Sequence, residues 1–135
     1  HAKMIVDRFD VSPTDYTTKA RALSGGNQQK VIIGREVDNI EVSRAATNEA
    51  QLLIATQPTR GLDVGAIEFV HSSLVKQRDE GNAVLLVSLE LDEVMNVSDR
   101  IAVIYEGKIV GIVDGKDADE NTLGFMMAGG AEDEQ

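Results

Sequence analysis

Two short apolar runs separated by a helix-length amphipathic segment restrict the fold of this chain more than any other feature. Leu52, Leu53, Ile54 and Ala55 lie within Gln51 to Thr56, and Ala83 to Val87 lie within Asn82 to Ser88. Continuous apolar stretches of this length fit strands buried on both faces of a parallel sheet. Pro58 and Gly61 end the first run, and Asp63 is placed to cap a helix in which Ile67, Val70 and Leu74 repeat at buried spacing until Gly81 stops it. Strand, helix and strand in that order predict a right-handed crossover and a parallel pair, hence an α/β fold.

The flanking segments fill in the rest. Ala2 to Phe9 carries Met4, Ile5 and Phe9 at helical spacing, and Pro13 breaks the pattern between Asp10 and Tyr16. Gln28 to Val37, with Val31, Ile32 and Val37 among polar neighbours, predicts a helix with one buried side, capped by Ser24. Ile40 to Ala50 is Ala-rich but lacks an apolar stripe, so it fits either helix or loop. Beyond the second strand, Leu89 to Val97 predicts a short acidic helix. Ile101 to Tyr105 and Lys108 to Val113 flank Glu106 and Gly107, a two-residue hairpin signal. Asn121 to Ala128 predicts a last short helix, with Met126 and Met127 packed beneath it and a frayed acidic end at Glu132 to Gln135.

Composition narrows the function. A net charge of −10 over 135 residues repels a nucleic-acid backbone, and no Lys or Arg run interleaved with aromatics offsets it. The absence of Cys leaves no disulfide framework or thiolate metal site and fits a reducing compartment. No apolar run approaches the roughly 20 residues that span a bilayer. His1 without an initiating Met reads as the start of a processed or excised chain. Glu90, Asp92 and Glu93 read as a solvated helix face rather than a metal site. His71, with no second His near it, reads as a surface or interface residue.

The chemistry concentrates in Leu23, Ser24, Gly25, Gly26, Asn27, Gln28, Gln29 and Lys30. Two glycines at a predicted helix start leave backbone amides without intrahelical partners at the positive end of the macrodipole, where an anion is stabilised. Taken alone, Ser-Gly-Gly is better explained by an ordinary turn and helix cap than by a phosphate contact. Its neighbourhood adds Gln57, Pro58, Thr59, Arg60, Gly61, Leu62 and Asp63 about thirty residues downstream.

With these motifs in order, the chain resembles the C-terminal portion of the nucleotide-binding domain of an ATP-binding-cassette transporter, from about Phe9 to Gly130. Leu23 to Lys30 is similar to the family's signature sequence. Thr56 to Thr59 stands at the end of Walker B, Gly61 to Asp63 at the D-loop, and Val87 to Leu89 at the switch-histidine segment. The resemblance implies the later part of a P-loop NTPase fold with a parallel sheet core, helices and a C-terminal β-hairpin. A helical and signature region would cover about residues 1–50, and the Walker B to C-terminal region about 51–130. Ile40 to Ala50 is longer than the family's usual connection.

Two departures from the family pattern carry weight. The Walker A pattern, which cradles phosphates, occurs nowhere in the chain. Where the family has a magnesium-organising Asp, a catalytic Glu and a switch His, this chain has Thr56, Gln57 and Leu89. Thr56 brings no charge, Gln57 orients water without accepting its proton, and Leu89 does neither. The plain structural readings of the three are a strand end for Thr56, a backbone bond for Gln57 and a core contact for Leu89, and these are favoured over a hidden alternative chemistry.

The resemblance therefore implies a binding and coupling module rather than a self-sufficient ATPase. Ser24, Gly25, Gly26 and Asn27 would meet the phosphate of an ATP, with its Mg, held mainly by a partner domain and the missing half, and Asp63 would align the shared interface. Its partners would be another nucleotide-binding domain, transmembrane permease subunits and, indirectly, an extracellular solute-binding protein, at the cytoplasmic face of the cell membrane. The Asn-Gln-Gln-Lys continuation and the Ala55 to Pro58 departure resemble importers of simple sugars and nucleosides, with nucleosides preferred. An ABC-type ATPase of DNA repair or the ribosome is the alternative class, and the acidic balance opposes it. Lacking the preceding strand and helix, the sheet would keep an uncovered edge and apolar face, which predicts self-association of the isolated chain.

Overall fold

The computed structural model describes residues 1–130; Glu132 to Gln135, expected to fray, lie outside the described residues. The chain forms two compact units, His1–Val87 and the part from Ser88 onwards. In the first unit, α1 (Ala2–Arg8) leads through a loop and a 3₁₀ turn (Ala20–Ala22) into α2 (Gly25–Thr47), followed by β1 (Leu52–Thr56), α3 (Val64–Asp79) and β2 (Ala83–Val87). β1 and β2 pair in parallel, Leu52 opposite Ala83 through Thr56 opposite Val87. The predicted strand, helix and strand are therefore present.

The core of this unit joins Ile5, Val6, Phe9 and Val11 to Ile33 and Val37 of α2, Leu53 of β1, and Val70 and Leu74 of α3. Phe9 meets Phe69 edge to face, with ring centroids 6.2 Å apart. The inward positions differ in part from those expected. Val6 rather than Met4 is buried in α1, and Ile33 with Val37 rather than Ile32 faces inward in α2. Positions 33 and 37 lie one helical turn apart, whereas Ile32 is rotated by about 100° from that stripe.

The strands are not buried on both faces. Leu53 is buried, and Val84 and Leu86 pack against the core, but the alternate residues Leu52 and Ile54 are 58% and 59% exposed, with Leu85 and Val87 also exposed. Strand side chains alternate between faces, and within the described residues the helices of this unit cover one of them. The run of apolar residues thus records a face for which these helices supply no cover.

Ile40 to Ala50 resolves as helix as far as Thr47, ended by Asn48 in the left-handed conformation (φ 55°), whose N–H donates to the Arg44 carbonyl at 2.7 Å. Tertiary bonds compensate for the weak apolar stripe: the Arg44 guanidinium donates to the Glu80 carbonyl, and Ser43 Oγ bonds Gln51 Oε1 at 3.0 Å. A buried amide pair then joins the end of α3 to the start of β1. Asn82 Nδ2 donates to Gln77 Oε1 at 3.0 Å, while Asn82 Oδ1 accepts from Gln51 N at 3.1 Å. Gln77 is only 1% exposed, so its side-chain oxygen needs that partner.

In the second unit, α4 (Leu91–Val97) precedes an antiparallel hairpin of β3 (Arg100–Tyr105) and β4 (Lys108–Asp114), then a 3₁₀ turn (Gly115–Asp117) and α5 (Glu120–Met127). Glu106 and Gly107 both have positive φ, 45° and 77°, as a two-residue turn matched to strand twist requires. Ile101, Val103 and Leu123 form the core here, and Met126 packs against it. Met127 is exposed, contrary to the expected packing. Glu93 is 4% exposed and belongs to the inner side of α4, so the acidic cluster is not wholly a solvated face. Asp119 caps α5 by accepting from Thr122 N at 3.0 Å; bonds to Thr122 hold its carboxyl below the usual carboxylate range.

Between α1 and α2, the Arg8 guanidinium grips both oxygens of Glu41. That bond holds the Glu41 carboxyl below its ordinary pKa and raises that of Arg8. Folded Glu41 releases its proton more readily than unfolded Glu41, so the contribution is complete above the ordinary carboxylate pKa and vanishes as pH falls through the lowered folded value. Glu41→Gln should therefore cost about 0.5 kcal/mol at pH 7, as a partly exposed pair allows, and progressively less as pH falls through the lowered folded value. Denaturant midpoints across that pH range check it. Two turns back along α2, a Cβ on Gly34 would lie 2.8 Å from Phe9 Cδ2 and 3.0 Å from Ile5 Cγ2. Gly34→Ala should destabilise by about 1 to 3 kcal/mol despite the better helix former, since overpacking of α1 outweighs a propensity gain of about 1 kcal/mol. Thermal melts of the variant measure the balance.

Candidate functional site

The head of α2 is held by several side-chain hydrogen bonds. Ser24 is its N-cap, in extended backbone (φ −62°, ψ 159°), and its Oγ accepts from the backbone N–H of Asn27 at 3.3 Å. Asn27 Nδ2 donates to the same oxygen at 2.9 Å. Gly25 and Gly26 open the helix, so their amides have no intrahelical acceptor. Gln28 Nε2 donates back to the Leu23 carbonyl at 2.9 Å and fixes the approach of the chain.

Two side chains tie this head to the loop after α1. Asn27 Oδ1 accepts from Ser12 N at 2.8 Å. Lys30 Nζ donates to the Asp10 carbonyl at 2.8 Å, lies 3.4 Å from Asp10 Oδ2, and stands 5.4 Å from the Phe69 ring centroid. Nothing in the sequence pattern marks Ser12 as a partner, because its contribution is a backbone amide.

The head of α3 lies alongside. Asp63 caps it, Oδ1 accepting from Ala66 N at 3.0 Å. A Cβ on Gly26 would sit 3.0 Å from Ala66 Cβ and 3.7 Å from Asp63 Oδ2. Gly26 and the buried Ala66 are thus the small residues that let the two helix starts approach. Ser24, Gly25, Gly26 and Asn27 share one helix start with Asp63 beside them.

Thr56 and Gln57 end β1. Thr56 is exposed and sits opposite Val87, so it does close a strand. The backbone N–H of Gln57 donates to the Val87 carbonyl at 2.8 Å, extending the ladder by one bond, and Gln57 then turns into the left-handed region (φ 50°). A non-glycine residue there costs about 1 kcal/mol or more. Pro58 and Thr59 are buried after it, and Leu62 N donates to the Thr59 carbonyl at 3.1 Å, forming the turn that delivers Asp63 to its cap. Leu89, in the second unit, is 74% exposed and does not fill a core position, contrary to the structural role considered for it. His71 is half-buried on α3.

No family model matches the chain. Curated relatives do. The guanosine import ATP-binding protein NupO of Bacillus subtilis is 56% identical over 98% of this chain, and the nucleoside import ATP-binding protein NupA of Lactococcus lactis is 52% identical over 96%. The ribose import ATP-binding protein RbsA of Lacticaseibacillus paracasei is 37% identical over 97%. The chain spans about a quarter of the length of each, 24%. Among solved structures, MJ1267, an ATP-binding cassette of an ABC transporter, superposes with a TM-score of 0.70 at 25% identity, over 95% of this chain and 47% of that one. The cassette MJ0796, solved as a dimer bound to ADP and Pi, shares the fold with a TM-score of 0.63 over 82% of this chain and 44% of its own.

The closeness of Gly26 to Ala66 makes a direct prediction: Gly26→Val should cost about 1 to 3 kcal/mol by forcing the helix starts apart. A denaturant midpoint equal to that of the parent would show slack between them. In sequence and in fold, the chain belongs to the ATP-binding-cassette family, and the curated relatives it matches are named as ATP-binding proteins of nucleoside and sugar import.

Proposed function

We propose that this chain is the C-terminal part of a nucleotide-binding domain in a nucleoside or simple-sugar importer, and that it lends its signature to an ATP held by a second such domain. A nucleoside is the preferred cargo, since the two relatives sharing over half of the aligned residues are named for guanosine and nucleoside import. Its signature region covers about residues 1–50, and the Walker B to C-terminal region about 51–130. The observation that carries the proposal is the head of α2, where a serine hydroxyl and two helix-leading amides form a donor set suited to a phosphate. Asp63, beside Gly26, would serve the D-loop role at the same interface.

The donor set fits the phosphate but not the metal. Thr56 and Gln57 offer neutral oxygens, and among the described residues no group of three or more His, Asp or Glu side chains gathers where a cation would bind. Magnesium would belong with the nucleotide on the partner's side. ATP supplies a terminal phosphoryl group to be cleaved; this chain's contribution would be to donate hydrogen bonds to it from Ser24, Gly25 and Gly26, with Asn27 completing the signature. Thr56, Gln57 and Leu89 would make its own hydrolytic positions unproductive, because none accepts a proton or holds charge near pH 7.

The chain would then act at the cytoplasmic face of the membrane, with permease subunits and, through them, an extracellular solute-binding protein. Among the described residues no helix is long and apolar enough to cross a membrane. The open apolar face of β1 and β2 also supports self-association of the chain in isolation.

The test is the ATPase rate of the assembled importer. Ser24→Ala should lower it about tenfold or more, the worth of a hydrogen bond to a charged group, while Gln57→Ala should change it by less than about threefold. Collapse of turnover with Gln57→Ala would mean that this chain's own site is productive and would sink the proposal.

A further inference from the structure

The structure assigns Asn27 to a positioning role: it converts the Ser24 hydroxyl into an outward hydrogen-bond donor and does not itself touch the nucleotide. The inference rests on the signature role proposed above and sharpens what each residue does there. A serine hydroxyl has two acceptor lone pairs and one hydrogen to give. At Ser24 both acceptor positions are taken by the same residue, Asn27 N at 3.3 Å and Asn27 Nδ2 at 2.9 Å. Only the hydrogen of Ser24 is left to engage another group. A fully ionised phosphate oxygen accepts and cannot donate, so it requires that state of the serine.

Asn27 is held in this orientation from the other side. Its Oδ1 accepts from the backbone N–H of Ser12 at 2.8 Å. An amide N–H can only donate, so Ser12 selects the oxygen end of the Asn27 amide and turns the NH₂ end to Ser24. Both ends of the side chain are then engaged within the protein, which leaves Asn27 with an indirect role. The reach is specific. From the third helical position a two-carbon side chain meets the cap hydroxyl while its other end meets the preceding loop.

The experiment uses the assembled importer with its complete ATP-binding polypeptide and four variants: Ser24→Ala, Asn27→Ala, Asn27→Asp and the double Ser24→Ala/Asn27→Ala. Turnover is read beside hydrogen exchange of the segment 10–23 measured without nucleotide. Asn27→Asp keeps an oxygen for Ser12 but presents a second acceptor to Ser24, drawing its hydrogen inward. Exchange of 10–23 should stay at the parent level in Asn27→Asp and in Ser24→Ala, and should rise in Asn27→Ala. Turnover in Asn27→Asp should fall about as far as in Ser24→Ala, about tenfold, the size of a lost charged hydrogen bond. The double variant should be no slower than Ser24→Ala within about a factor of two, because residues acting through one group do not add.

Multiplying effects in the double variant would show an independent contact by Asn27 and overturn the inference. So would parent-level turnover in Asn27→Asp, with the signature role left standing. Parent-level turnover in Ser24→Ala would remove the signature role itself, and the inference with it.

Discussion

The approach of α2 to α3 at their N-terminal ends is the constraint on which the first unit depends. Gly26 meets Ala66 with almost no space for an added carbon. Lower down, Ile33 and Val37 of α2 share one core with Val70 and Leu74 of α3, and Leu53 of β1 joins them. A larger side chain at the head would separate the helix starts without relieving the packing below, so the cost would appear as strain across both. The same narrow spacing sets the Asp63 cap next to the Ser24 cap. Packing and candidate chemistry therefore share one geometric requirement, a small residue on each helix at the second or third position.

Much of this was legible in the residues because the signals were local. Ser24 and Asp63 are good caps ahead of helical patterns, and both cap as expected. Glu106 with Gly107 specified a two-residue turn, and the two apolar runs specified the parallel pair. The remainder depended on partners far along the chain. The Asn82 and Gln77 amides look like an unremarkable strand start and a surface helix position until the fold makes each the other's hydrogen-bond partner. Continuation of α2 through Ile40 to Thr47 relies on Arg44 and Ser43 reaching Glu80 and Gln51, which helix propensity does not register. Ser12 contributes a backbone amide to Asn27, so no side-chain identity could have announced it.

The open face of the parallel pair has a different origin. Leu52, Ile54, Leu85 and Val87 are apolar like residues of a covered strand, yet they stand exposed within this chain. Apolar patterning along a strand therefore does not by itself say that both faces are covered within the same unit. Thr56 and Gln57 are a different case: a strand end and a tight turn, with Gln57 at positive φ, are formed by side chains that carry no charge.

A net charge of −10 opposes anion binding at long range, but the balance at the head of α2 is local. Charges more than about 8 Å away are largely screened at physiological ionic strength, whereas unpaired amides and a helix dipole of about half a charge act at contact. Two acidic groups near this head are also engaged: Asp63 accepts from Ala66, and Asp10 lies beside Lys30. That pairing has a second consequence. Lys30, the basic residue of the signature stretch, is directed to Asp10, so the donors offered by this head are a hydroxyl and amides without a full positive charge. Donors of that kind orient a phosphate far better than they capture one from water, since each hydrogen bond to a charged group nets only about 1.5 to 3 kcal/mol. Under the proposed role this weakness is functional: the head would engage a phosphate only when another domain has already bound and desolvated it, which couples recognition at this surface to the meeting of the two domains.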